Sequence, residues 1–94
     1  MMRESGRLGE AVEDYDRAIA LRPDYAEALN GRGNSLKGQR RFEDALASYD
    51  KAIALKADYA KAYSNRGNAL LILNRPDDAL ASYAQATPPG QPQQ

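Results

Sequence analysis

The sequence predicts an all-α protein made of repeated, antiparallel helical hairpins, and three observations carry that prediction. The chain repeats itself at a fixed period, Gly67 standing over Gly33 (67 − 33 = 34), and a period of this size marks stacked supersecondary units. Within each pass, small and aromatic residues recur three and four positions apart, as on one face of a helix. The composition is 43% apolar but its mean hydropathy is −0.71. Alanine and charge therefore dominate, which suits closely packed helices better than a bulky core.

The repeat is legible residue by residue. Residues 26–36 lie over 60–70, and Asp44-Ala-Leu-Ala-Ser-Tyr49 lies over Asp78-Ala-Leu-Ala-Ser-Tyr83. One period earlier, Glu10-Ala-Val-Glu-Asp-Tyr15 fills the same slot. Ala18-Ile-Ala-Leu21 matches Ala52-Ile-Ala-Leu55, and Asp24-Tyr-Ala matches Asp58-Tyr-Ala. These matches divide residues 1–86 into a part-unit (1–25), a unit (26–59) and a further unit (60–86), followed by a tail (87–94).

Each element then has its own reasons. A helix over 8–21 follows from Ala11, Tyr15, Ala18 and Ile19, which share one face. First helices are expected over 25–38 and 59–73, second helices over 42–55 and 76–86. Asp24 and Glu27 have the spacing of a capping box at the start of the first of these. Pro76 suits the first position of a helix, where its missing N–H costs nothing, and Asp77 and Asp78 complement the positive end of the dipole. Gly6, Arg40 and Asn74 share a slot where a turn residue with positive φ is expected. At Arg40 that predicts a strained or rearranged turn, with Gly38 ending its helix early. Gly33, Ala45 and Ala52, with Gly67, Ala79 and Ala86, let paired helices approach closely, while Tyr49 and Tyr83 fill gaps between hairpins. The tail, Thr-Pro-Pro-Gly-Gln-Pro-Gln-Gln, is of low complexity and is expected to be disordered.

At these residues the chain resembles the tetratricopeptide repeat family, whose unit is a helix–turn–helix of the same length. The middle unit supplies Leu29, Arg32, Gly33, Leu36, Ala45, Tyr49 and Ala52 of the family pattern. The next supplies Tyr63, Arg66, Gly67, Leu70, Ala79, Tyr83 and Ala86, and the leading part-unit Ala11, Tyr15, Ala18 and Pro23. Arg32 and Arg66 stand where leucine is usual, and Ala57 where proline is usual. An arginine stem can lie along apolar surface with its head in water, so the fold is not threatened. The resemblance implies a right-handed α-solenoid of antiparallel helix–turn–helix repeats.

Composition narrows the function classes. Thirteen basic residues balance thirteen acidic ones, so no basic face marks a nucleic-acid partner. Cysteine and histidine are absent, which removes thiolate chemistry together with the commonest general base and metal ligand. Asp14 and Asp16 point apart on one helix, while Glu43/Asp44 and Asp77/Asp78 sit in first turns where acids favour the dipole. No serine has a histidine to activate it. Arg32-Gly-Asn34 and Arg66-Gly-Asn68 lie inside helices, not between a strand and a helix as a phosphate loop requires. No cofactor, metal site or catalytic residue is expected. The first ten residues are polar and the longest apolar run is Ala69 to Leu73, so no signal peptide or membrane span is expected and a cytoplasmic location is the default.

The family resemblance implies a protein-binding scaffold in which first helices line a concave groove. By slot, the middle unit presents Glu27, Asn30, Asn34 and Lys37 there, and the next presents Lys61, Ser64, Asn65, Asn68 and Leu71. Asn34 and Asn68 stand one period apart, in register along the groove, and an amide offers both donor and acceptor to a peptide or partner helix. A competing reading rests on the ends. The chain starts within a unit and stops after a second helix, so apolar surface is expected at both ends and two and a half repeats are expected to be marginal alone. Leu71 and Ile72 replace Lys37 and Gly38 and are the residues to watch for self-association of copies. A third reading makes the chain an accessory segment of a larger enzyme.

Overall fold

The computed structural model describes residues 2–86, which form five helices: α1 (Met2–Leu21), α2 (Ala26–Gly38), α3 (Phe42–Leu55), α4 (Ala60–Ile72) and α5 (Pro76–Ala86). Each helix packs on the next, and α2 also touches α4. The result is the expected solenoid of antiparallel hairpins, with α2/α3 and α4/α5 as its two full units and α1 as a lone second helix ahead of them. The disorder expected for 87–94 falls outside the described residues.

Helices α3 and α5 run over the residues their patterning predicts. α1 does not. Gly6 was expected to hold a turn, yet α1 continues through it to Met2. Glycine inside a helix costs only about 1 kcal/mol, and a turn here would leave the backbone groups around Gly6 unpaired. Continuing the helix satisfies those backbone groups instead.

Two further expectations are corrected at the start and end of α2. Asp24 does not cap it. Tyr25 holds the N-cap position of α2 with no side-chain cap bond, because Asp24 lies in a turn closed by the Tyr25 N–H on the Arg22 carbonyl (3.0 Å). Pro23 pre-sets φ for the second position of that turn. Glu27 turns away from the N-terminus toward Lys56 Nζ (3.6 Å). At the other end Gly38 does not shorten the helix: α2 ends at Gly38 and α4 at Ile72, the same slot one period on.

The turn at Arg40 is strained but not rearranged. Arg40 has φ 66° and Asn74 φ 62°, both left-handed. The Arg41 N–H donates to the Leu36 carbonyl (2.9 Å) and the Arg40 N–H to that of Lys37 (2.9 Å). The Arg75 and Asn74 N–H groups repeat this on Leu70 (2.9 Å) and Leu71 (3.0 Å). Both helices therefore close with the same Schellman pattern, which satisfies their last carbonyls. An arginine in this conformation carries the Cβ penalty that asparagine largely escapes. Arg40→Asn is expected to stabilise the fold by about 0.5–1 kcal/mol, read as a higher denaturation midpoint at unchanged slope.

Packing follows the small-residue seam. A Cβ on Gly33 would lie 2.5 Å from Tyr49 Cε1, and one on Gly67 would lie 2.7 Å from Tyr83 Cε1. The tyrosines thus lie on the glycines of their own hairpins, not only between hairpins as expected. Tyr49 then extends a core that joins Leu36, Ala45 and Leu46 to Ala69, Leu70 and Ala79 of the next unit. Ser48 donates to the Leu29 carbonyl (2.8 Å) and Ser82 to that of Tyr63 (2.7 Å), pinning second helix to first in both units.

Candidate functional site

The first helices α2 and α4 lie side by side, and their outward residues form a polar trough. Asn30, Asn34, Ala60, Lys61, Ser64 and Asn65 line one hollow of about 460 Å³. Five of the predicted site residues are therefore brought together. Asn65 Nδ2 donates to Asn30 Oδ1 (3.1 Å), a bond that ties one unit to the next. Asn30 is almost covered, Asn65 and Ser64 are half-buried, and Asn34 and Lys61 stand exposed.

The remaining predicted residues lie outside that hollow. Asn68 continues the line of Asn34 on α4 and is exposed, whereas Lys37 is half-buried near the end of α2. Leu71 and Ile72 are 50% and 54% exposed. At Gly38, one period before Ile72, a Cβ would meet Leu8 Cδ1 at 2.9 Å.

Sequence reasoning missed the second-helix side of this site. The Tyr49 hydroxyl donates to Asn34 Oδ1 (2.6 Å), and the Tyr83 hydroxyl donates to Asn68 Oδ1. Tyr49 is fully buried, and that burial pushes its phenol well above the ordinary range, so it stays protonated. The signal was present: in both units the tyrosine follows the asparagine by 15 residues.

A second offset pair was missed in the same way. Arg32 Nε meets Asp16 Oδ1 at 2.6 Å and Arg66 Nε meets Asp50 Oδ1 at 2.7 Å. Each arginine thus reaches back to the second helix of the preceding unit. Where leucine is usual in the family, this chain uses an inter-unit ion pair. The series stops at Ala84, which occupies the acid's slot on α5. The candidate acid pairs are also split: Asp14 pairs with Arg17, Asp16 with Arg32, Asp44 with Arg41 and Asp78 with Arg75.

This architecture is that of a helical-hairpin repeat scaffold with one polar face. A TPR repeat model matches residues 1–39 and a tetratricopeptide repeat model matches residues 32–94. The chain belongs to the tetratricopeptide repeat family. No curated protein matches it in sequence. Among solved structures it is similar to MamA (28% identity, TM-score 0.82), covering 85% of this chain and 47% of that one. It is also similar to the first and second TPR of Spaghetti (RPAP3), each bound to the HSP90 peptide SRMEEVD. Those two are 26% identical to it, with TM-scores of 0.83 and 0.82. They cover 90% of this chain, which spans 68% and 79% of theirs. The chain thus spans about half the length of the MamA structure. Among the described residues no helix is long and apolar enough to cross a membrane.

Proposed function

We propose that this chain is a protein-interaction module, not an enzyme, and that it holds an extended peptide or a partner helix along the α2–α4 face. The observation that carries this reading is the convergence of Asn30, Asn34, Lys61, Ser64 and Asn65 on one open hollow. Beyond the bonds spent on Tyr49, Tyr83 and between Asn30 and Asn65, the amides, a hydroxyl and an ammonium there offer further hydrogen bonds, with Asn68 extending the line. Similar structures of Spaghetti hold an acidic heptapeptide, which supports a peptide as the occupant. Lys61 is the lone cation lining the hollow, too little for recognition that depends on clustered charge. Backbone contacts are therefore assigned the larger share.

The test is an array of extended heptapeptides, SRMEEVD among them, screened against the chain and its Asn34→Ala/Asn65→Ala variant. Bound sequences are expected to lose about tenfold or more in affinity, as two hydrogen bonds of ordinary strength imply, with helicity followed in parallel because the same amides pair with Tyr49 and Asn30. Equal binding by both proteins defeats the groove assignment.

A second reading, self-association through the last unit, draws support from Leu80. It is 67% exposed, while Leu46 in the same slot is 7% exposed.

A further inference from the structure

We infer that Tyr49 and Tyr83, beyond packing the hairpins, are positioning residues that fix the Asn34 and Asn68 amides with their NH2 groups toward the groove, so that this face selects ligands presenting hydrogen-bond acceptors. The inference rests on the groove reading above and sharpens it from a binding face to one of stated polarity.

The argument begins with the phenol. Tyr49 is fully buried with its ring on Gly33, and its hydroxyl lies 2.6 Å from Asn34 Oδ1. A buried hydroxyl that stays protonated must find an acceptor, and leaving one unpaired is unfavourable. If the amide were turned over, its Nδ2 would donate to the phenol oxygen and the phenolic proton would have no acceptor. The pairing therefore settles which end of the amide faces inward. Among the described residues Asn34 Nδ2 makes no hydrogen bond of its own, and the Asn34 side chain lies on the exposed face of α2. The free end of a trigonal amide whose oxygen is held points away from the phenol, into the trough.

The same pairing recurs one period later at a half-buried tyrosine, where the Tyr83 hydroxyl donates to Asn68 Oδ1 and, among the described residues, Asn68 Nδ2 makes no hydrogen bond. Asn65 differs. Its Nδ2 is committed to Asn30 Oδ1, so it keeps its carbonyl oxygen for a ligand. The groove therefore shows two donors one repeat apart, the Lys61 ammonium, the Asn65 carbonyl oxygen and the Ser64 hydroxyl, which can donate or accept. A peptide laid along it meets Asn34 and Asn68 through its backbone carbonyls or side-chain carboxylates, and a segment that presents only donors is disfavoured.

The test needs no identified partner. In the isotope-labelled full chain, the side-chain NH2 resonances of Asn34 and Asn68 are followed during titration with sodium acetate, an acceptor-only probe. Methylammonium chloride, a donor-only probe, is run at the same ionic strength. Acetate is expected to shift both resonances saturably and methylammonium to leave them in place. The Tyr49→Phe/Tyr83→Phe variant keeps both rings on their glycines but frees the amides to turn. Its acetate affinity is expected to fall about fivefold, as loss of a typical hydrogen bond implies, and a methylammonium response is expected to appear. Equal responses in the parent protein, or an acetate response unchanged by the two substitutions, overturns the inference. Proton exchange at the Tyr49 hydroxyl gives a second measurement. It is expected to be slow in the parent and in Asn34→Asp, which keeps the acceptor, and fast in Asn34→Leu. Free-phenol exchange in the parent also overturns the inference. A blank peptide array with acetate selectivity intact would reject only the peptide reading.

Discussion

Gly33→Ala is expected to destabilise the fold by about 2 kcal/mol, although alanine is the better helix former. The propensity gain from glycine to alanine inside a helix is about 1 kcal/mol. Against it stands a methyl group 2.5 Å from Tyr49 Cε1 and 2.7 Å from Cδ1. That ring is fully buried and wedged against Ala45, Leu46 and Leu70, so it cannot swing aside without moving the neighbouring unit. Closely packed interiors yield to an added methyl only through strain. The other two glycines on the seam make the comparison informative. A Cβ on Gly67 would meet Tyr83 at 2.7 Å, but Tyr83 is only half-buried. A Cβ on Gly31 would meet Tyr15 at 2.4 Å, and Tyr15 is likewise half-open. Gly67→Ala is therefore expected to cost less than Gly33→Ala, and Gly31→Ala least, because a Cβ there meets Cζ and the hydroxyl at the far end of the Tyr15 side chain. Denaturant midpoints of the three variants check the order. Equal losses at all three sites would mean that ring burial does not govern the cost.

Tyr15 also shows why parts of this structure were legible in the sequence and others were not. The slot of Tyr15, Tyr49 and Tyr83 could be read from the period alone, as could the bodies of α3 and α5, because each of those residues keeps its neighbours from unit to unit. Among the described residues no first helix precedes α1, and the Tyr15 ring rests beside Gly31 of the next unit. For the same reason α1 passes through Gly6 without turning. Periodicity predicts a residue's surroundings only where the neighbouring unit exists.

The groove was legible as positions but not as chemistry. Asn30, Asn34, Lys61, Ser64 and Asn65 could be assigned to one face from the repeat, and the structure gathers them. Their hydrogen-bond polarity depends on partners 15 residues away on the second helix and one unit away on the next first helix. No local pattern reports those. What the sequence did carry was the doubled offset itself, for Tyr–Asn as for Arg–Asp, and a pair repeated at one spacing in two units is a contact signal that needs no coordinates.

The largest stability effect is expected at Leu46, and its counterpart Leu80 turns that effect into a probe of what surrounds the last unit. Leu46 is 7% exposed and shares its cluster with Ala69 and Leu70 of the following hairpin. Truncation removes buried methyl groups and leaves a cavity bounded by two units, so Leu46→Ala is expected to cost about 3 kcal/mol. That is a large share of the stability of so small a domain. Leu80 occupies the same slot one period on and is 67% exposed. Within the chain its side chain has little to lose, and Leu80→Ala is expected to change stability by less than about 0.5 kcal/mol. The two substitutions share chemistry, helix type and slot, so the difference between them measures the covering hairpin alone. Both midpoints should be measured across a wide range of protein concentration. If copies associate through α5, the parent becomes more stable as concentration rises and Leu80→Ala loses that gain. A concentration-independent midpoint for the parent, with Leu80→Ala near neutral throughout, rejects self-association through this face.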